Sequence, residues 1–273
     1  MALGVGLTYR TYGFFNIAHA AVFAVGPYIL YGVLTIARVP FLGSLLISVI
    51  AVAALGLICH IAVFQPLRQR RATSLSLLLA SVGLLFTLEG LLSLFFGAEP
   101  ISLPGHEVIE GLGILGARIT KTQVVILALT MVVSLCWWLI SRKTRYGLFM
   151  RAIAADEGLA RIVGVRTNSI IRLGLIASSL TVGVSGILKG YDTGVTPTMG
   201  FEVFFAAVVA VMIGGGIVTL EILTAFSLGV IQQFAVLVVP TQWQDVIVFL
   251  ALLVFLLIRP QEEGITLTQT PAQ

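Results

Sequence analysis

Residues 13–34, GFFNIAHAAVFAVGPYILYGVL, form an apolar stretch that carries Asn16 and His19 and, about two to three helical turns later, the helix-breaking pair Gly26 and Pro27. An amide and an imidazole there offer donors and acceptors where no water is available. Glu89, in LLFTLEGLLSLFFG, places a carboxylate inside a second apolar run. Charged side chains in such runs cost about 2.5–3.5 kcal/mol to insert, so they face a bundle interior or a cavity. Two readings follow. In the first, Asn16, His19, the Gly26-Pro27 break and Glu89 border a path for a polar or zwitterionic solute. In the second, Asn16 and His19 hold a re-entrant turn together and Glu89 is a hydrogen-bonding partner for another helix. His60, near the end of its own run, reads as interfacial, and Gln232 and Gln233 are further polar interruptions.

Catalytic chemistry has little support. The chain contains no Ser/His/Asp, HExxH or Cys/His constellation. The glycine triplet at 214–216 lacks the Lys and Ser/Thr of a phosphate-binding loop, so no nucleotide site is expected in this chain. Cys59 and Cys136 lie in apolar runs without the spacing of a metal site or disulfide.

The elements that carry these residues follow from composition. The 273 residues are 58% hydrophobic and 10% charged, with a mean hydropathy of +1.07. Soluble domains are about 45–50% apolar and about 25% charged, so the chain is read as an all-α polytopic transmembrane bundle in one domain, 1–273. About eight spans are expected, near 20–37, 42–64, 74–97, 123–141, 170–189, 201–218, 221–239 and 243–258, with a broken or re-entrant segment near the N-terminus. The opening MALGVGLTYR has no basic start and reads as the tail of a helix whose beginning is absent.

The net charge of +4 reflects orientation in a bilayer rather than affinity for nucleic acid. Arg68, Arg70 and Arg71 fall in one loop, Arg142, Lys143, Arg145, Arg151, Arg161, Arg166 and Arg172 in or beside a second, and Arg259 opens the tail 259–273. Alternating spans put all of these on one side, the cytoplasmic one. Glu99, Glu107, Glu110 and Asp192 fall on the other.

The cytoplasmic loop at about 142–169 is too long for a connector. Leu148, Ile153, Leu159, Ile162 and Val165 recur among Arg151, Asp156, Glu157 and Arg161 at helical spacing. Such a helix could lie on the membrane surface or dock in a partner's groove, and Gly158 and Gly164 would let it bend or approach closely. Ala177, Thr181 and Ser185, like Ser179 and Gly183, are four apart, a spacing suited to close helix contacts.

GFFNIAHAAVFAVGPY, LEGLLSLFFGAEPISLPG, the stretch RYGLFMRAIAADEGLARIVGVRTNSIIRLGLIASSLTVGVSGILKGYDTGVTPTMGF and FFAAVVAVMIGGG together resemble, in order and spacing, the permease subunits of branched-chain amino acid ABC importers. The resemblance spans nearly the whole chain and is most specific over 146–216. It implies an inner-membrane importer of Leu, Ile, Val and relatives, in which this chain pairs with a second permease subunit, two separate ATPase subunits that bind the ATP, and a periplasmic binding protein. It also implies that AIAADEGLARIVGV is the coupling helix seated in an ATPase cleft, with Arg151, Asp156, Glu157, Gly158, Arg161 and Gly164 at or beside the contact.

Close relatives in that family carry urea or short amides. The family places a further helix ahead of MALGVGL, and its glycine-rich segment is represented here by GGGIVTLEILTAFSLGV, with Glu221 and bulky residues in place of small ones. These departures leave open altered packing, a divergent substrate or a degenerate, non-transporting paralogue. An ion-driven secondary transporter with Glu89 as its ion site is the alternative mechanism.

Overall fold

The computed structural model describes residues 1–104, 112–114, 117–235 and 244–258. The tail 259–273, with Arg259, and the loop residues Glu107 and Glu110 lie outside the described residues.

The chain is a helical bundle whose long apolar helices make it a multi-pass membrane protein. In chain order the helices are α1 (Ala2–Tyr12), α2 (Ala18–Thr35), α3 (Phe41–Cys59), α4 (Gln65–Gln69) and α5 (Ser74–Phe96). They continue with α6 (Lys121–Lys143), α7 (Arg145–Ala155), α8 (Glu157–Ile162), α9 (Thr167–Thr193), α10 (Met199–Gly214), α11 (Val218–Ala235) and α12 (Gln244–Ile258). Between α5 and α6 a short antiparallel hairpin pairs β1 (Leu112–Ile114) with β2 (Ala117–Ile119). Among the described residues, six helices are long and apolar enough to cross a membrane, and α10 and most of α12 supply two shorter apolar helices. These match the eight spans expected from the sequence.

Local signals set the ends. Thr120 and Gln123 form a reciprocal capping box at the start of α6, and Thr144 accepts from the Gly147 amide to open α7. Gly13 closes α1 with a left-handed φ of 71°, a conformation that glycine adopts without steric cost. The second span runs further than expected, through a π-helical turn at His60–Phe64 and on to Gln69. That wide turn lies just ahead of Pro66, whose missing N–H interrupts the regular ladder.

The break near the N-terminus does not fall where the sequence suggested. Gly26 and Pro27 lie inside α2, which continues to Thr35, and the interruption is instead at residues 13–17, between α1 and α2. Packing explains why α2 survives its proline. Pro27 leaves the carbonyl of Phe23, four residues back, without its helical donor. That oxygen abuts Gly186 on α9, where a Cβ would sit 1.8 Å from it, so only a hydrogen fits. A Cβ on Gly26 would likewise approach the Gly183 carbonyl to 2.7 Å. With backbones this close, α9 holds α2 in helical form.

α2 is the central helix, packed by α3, α5, α9 and α10, and Ala20, Ala21, Ala24, Tyr28 and Leu30 have no exposed surface. α1 packs on α9 and α10. α6 is peripheral, held in part by Trp137 Nε1 donating to Thr181 Oγ1 at 2.9 Å. The small residues of α9 face α3 as well, since Cβ atoms on Gly56 and Gly183 would meet Ser179 and Val52. On the face opposite the arginine-rich loops, a bridge joins Ile101 to Val195.

Candidate functional site

The first site is the polar seam where α1, the 13–17 interruption, α2 and α9 meet. Asn16 Nδ2 donates to His19 Nδ1 at 3.0 Å, which leaves Nε2 as the protonated ring nitrogen. That nitrogen lies 2.5 Å from Ser178 Oγ and 2.9 Å from Thr8 Oγ1. The two hydroxyls are 2.8 Å apart, and Ser178 donates to the Gly4 carbonyl at 2.6 Å. All four side chains are buried, and burial in a low-dielectric core makes each of these hydrogen bonds costly to lose. Asn16 Oδ1, however, is buried with no partner.

Ser81 Oγ accepts the Ile17 amide at 3.1 Å and so pins the start of α2 to α5. Ser81, Leu85, Glu89 and Leu92 continue along one stripe of α5, the stripe whose leucines pack beside α2. Glu89 is half-buried there, and its Oε1 is enclosed without a partner. The structure therefore groups Asn16 with His19, carries Gly26 and Pro27 further along α2, and sets Glu89 on the neighbouring helix without a bond to either polar residue.

The second site gathers around α8, on the side of the arginine-rich loops. Asp156 caps α8 by accepting the Leu159 amide at 3.0 Å. Glu157 pairs with Arg68 of α4 and, at 2.9 Å, with Arg161, so α8 is tied to the end of the second span. Arg68 also lies over the Tyr12 ring, 5.4 Å from its centroid, and the Tyr12 hydroxyl is hydrogen-bonded with His60 Nδ1 at 2.7 Å. The apolar residues of this segment divide between two surfaces. Ile153 and Ala160 pack on Ile171 with Val165, whereas Leu159, Ile162 and Val163 are exposed, the last two by more than 80%. Gly164 has a left-handed φ of 92° and turns the chain from α8 toward α9. Arg151 stands apart from this cluster, on α7, where it donates to the Ser141 carbonyl. Nearby, burial pushes the Tyr146 phenol up to about 12.

Three contributors escaped the sequence reading. Thr8 and Ser178 are ordinary residues of apolar helices until the fold joins them to His19. Arg10 forms an ion pair with Glu221 at 2.6 Å and donates to the Gly216 carbonyl at 2.9 Å. The signal for that pair was the lone charge in each of two apolar segments. Among the described residues no group of three or more His, Cys, Asp or Glu is placed to hold a metal ion.

Comparison with known proteins agrees with this architecture. The permease LivH of the high-affinity branched-chain amino acid transport system of Salmonella typhimurium is 26% identical over 278 residues, covering 95% of this chain and 88% of the relative. The corresponding permease BraD of Pseudomonas aeruginosa is 28% identical over 274 residues, covering 95% and 89%. A galactofuranose transporter permease of Escherichia coli, YtfT, is 33% identical over a 100-residue stretch that covers 35% of this chain and 28% of the relative. These relatives are named as transport permeases rather than enzymes. No solved structure matches the chain significantly. A family model described as the permease component of the branched-chain amino acid transport system matches residues 1–257, and the chain belongs to that family.

Proposed function

We propose that this chain is the transmembrane subunit of an ATP-driven importer that carries branched-chain and related hydrophobic amino acids across the inner membrane. Its partners in this reading are a second permease subunit, two ATPase subunits and a periplasmic binding protein. ATP binds to the ATPases, and this chain needs no cofactor of its own.

The observation that carries the reading is α8. A six-residue helix, capped by Asp156 and tethered through Glu157 to Arg68, presents Leu159 and Ile162, with Val163 just beyond it, at the cytoplasmic end of a membrane bundle. Exposed apolar side chains on a rigidly held helix suit a hydrophobic cleft in a partner protein. Closure of the ATPase dimer would push on α8 and, through the Glu157–Arg68 contact, on α3 and α1. Asp156, Glu157, Gly158 and Arg161 meet the partner or hold the helix to it, and Gly164 and Arg151 fix the segments on either side.

The path runs beside α2 and α5, bordered by Asn16, His19, Gly26, Pro27 and Glu89. An amino-acid ammonium leaving water needs acceptors, and Asn16 Oδ1 and Glu89 Oε1 are, with the Tyr28 hydroxyl, the buried polar atoms of α2, α5 and their junction that lack protein partners among the described residues. His19 serves by holding the Asn16 amide so that its oxygen stays free.

The test is uptake of labelled leucine, valine and urea into proteoliposomes holding this chain with its ATPases, second permease and binding protein. Leucine uptake that stops without ATP is the expected result. Uptake driven by an ion gradient alone, or uptake of urea but not leucine, would overturn it.

A further inference from the structure

A cavity of about 560 Å³ opens at the cytoplasmic end of the bundle, between the end of the second span and α8 with the start of α9. Its walls include four arginines, Arg68, Arg71, Arg161 and Arg172, against one carboxylate, Glu157. Glu157 is already engaged by Arg68 and Arg161. Among the described residues, Arg71 and Arg172 have no carboxylate partner, so positive charge converges on this space uncompensated.

The backbone points the same way. Arg71 has a left-handed φ of 55°, a conformation uncommon for a bulky residue and concentrated at ligand-binding and functional positions. Its amide donates to the Arg68 carbonyl at 3.0 Å, so one tight turn brings both arginines to the cavity. Asn168 and Gln65 add uncharged polar groups to the wall. Just along the chain from His60, Ile58 and Ile61 are exposed by 60% and 51%, as lipid-facing residues are.

Basic residues outside spans are ordinary on this side of a membrane, but here they surround a concave space rather than lie along a loop. Guanidinium forks match the oxygens of a phosphate group bidentately, and basic pockets between spans at the cytoplasmic face accept lipid headgroups. We propose that this cavity binds a phosphate-bearing anion. The exposed isoleucines of the same span favour the headgroup of an anionic phospholipid of the inner leaflet as the source, with the acyl chains along that span. Because Arg68 both lines the cavity and holds Glu157, an occupant would draw on the contact that fixes α8. The binding itself depends on neither the transported solute nor the ATPases.

The experiment is retention of added lipid by the purified full chain in detergent, read by native mass spectrometry, with phosphatidylglycerol, phosphatidylcholine and inorganic phosphate as separate probes. Phosphatidylglycerol should be retained over phosphatidylcholine. Arg71→Gln and Arg172→Gln should each weaken retention about fivefold, whereas Arg166→Gln, outside the cavity, should leave it unchanged. If the two lipids are retained equally but inorganic phosphate raises the thermal midpoint of the wild type and not of the two cavity variants, the ligand is a free phosphate. Equal binding of every probe by wild type and both cavity variants would overturn the site. So would cross-linking of an acidic partner segment into the cavity with no phosphate or lipid bound. Size-exclusion profiles of the variants report folding separately.

Discussion

Arg10 Nη1 lies 2.6 Å from Oε1 of Glu221, and the glutamate side chain has no exposed surface. The pair joins α1 to α11 across 211 positions of sequence. Gly6 makes it possible, because a Cβ there would stand 2.6 Å from both carboxylate oxygens. Glu221, which looked like a misfit in a segment expected to be glycine-rich, is thus matched by a cation and a glycine on another helix. Removing one member of a buried pair strands the other and costs about 3–5 kcal/mol, whereas removing both is far milder. Glu221→Gln should therefore lower the thermal midpoint in detergent strongly, and Arg10→Met with Glu221→Met should recover most of the loss. Equal midpoints for the single variant and wild type would show that the pair does not stabilise the fold.

Gly186 and Gly83 should respond in opposite directions to alanine. At Gly186 the new methyl would meet the Phe23 carbonyl that Pro27 left free, whereas at Gly83, on α5, nothing lies within 4 Å. Overpacking at Gly186 should cost about 1–3 kcal/mol. Alanine at Gly83 should stabilise its helix by about 0.5–1 kcal/mol. Thermal melts of the two purified variants check both signs.

Gly158→Leu tests the coupling role of α8. A Cβ there comes within 3.2 Å of the Asp156 oxygen that caps the helix, and the rest of the side chain would enter the surface proposed to meet the ATPase. The expected outcome is ATP hydrolysis by the assembled complex with leucine uptake reduced about tenfold, equivalent to about 1.4 kcal/mol of lost coupling. An unchanged ratio of uptake to hydrolysis would remove α8 from the coupling route.

Glu89→Gln tests the path. The change keeps shape and removes charge, so an ammonium loses a charge-assisted hydrogen bond worth about 1.5–3 kcal/mol. Leucine uptake at subsaturating concentration should fall about tenfold or more, with basal ATP hydrolysis unchanged. Unaltered uptake would make Glu89 a packing residue.

His19→Ala would leave the Asn16 amide without its acceptor in a closed core, while Thr8 and Ser178 would keep each other and the Gly4 carbonyl. A loss of about 1–3 kcal/mol per unsatisfied group is expected, read as a lower unfolding temperature. His19→Gln, which keeps polar atoms near the ring's position, should retain more of the stability.

The spans were legible in the sequence because transfer into a bilayer is nearly additive along the chain. A window around Leu77 or Val125 reports its own helix without reference to any other. The helical character of the 142–169 segment was legible through its 3.6-residue period, whereas the Asp156 cap emerged only in the structure. The division of its apolar residues was not, because Ile153 and Leu159 look alike until α9 supplies Ile171 as a neighbour for one of them. The proline misled for a related reason. Pro27 removes a backbone bond wherever it stands, and only the approach of Gly186 decides whether the helix survives.

The membrane class, the number and order of spans and the family resemblance were thus readable from the chain itself. These rest on local composition and on motifs read in order. Tertiary structure alone decided which polar groups meet: Thr8 and Ser178 with His19, Arg10 with Glu221, and Arg68 with Glu157. Hydrogen bonds and ion pairs act over a few ångströms, and between residues far apart in sequence that distance exists only once helices have packed.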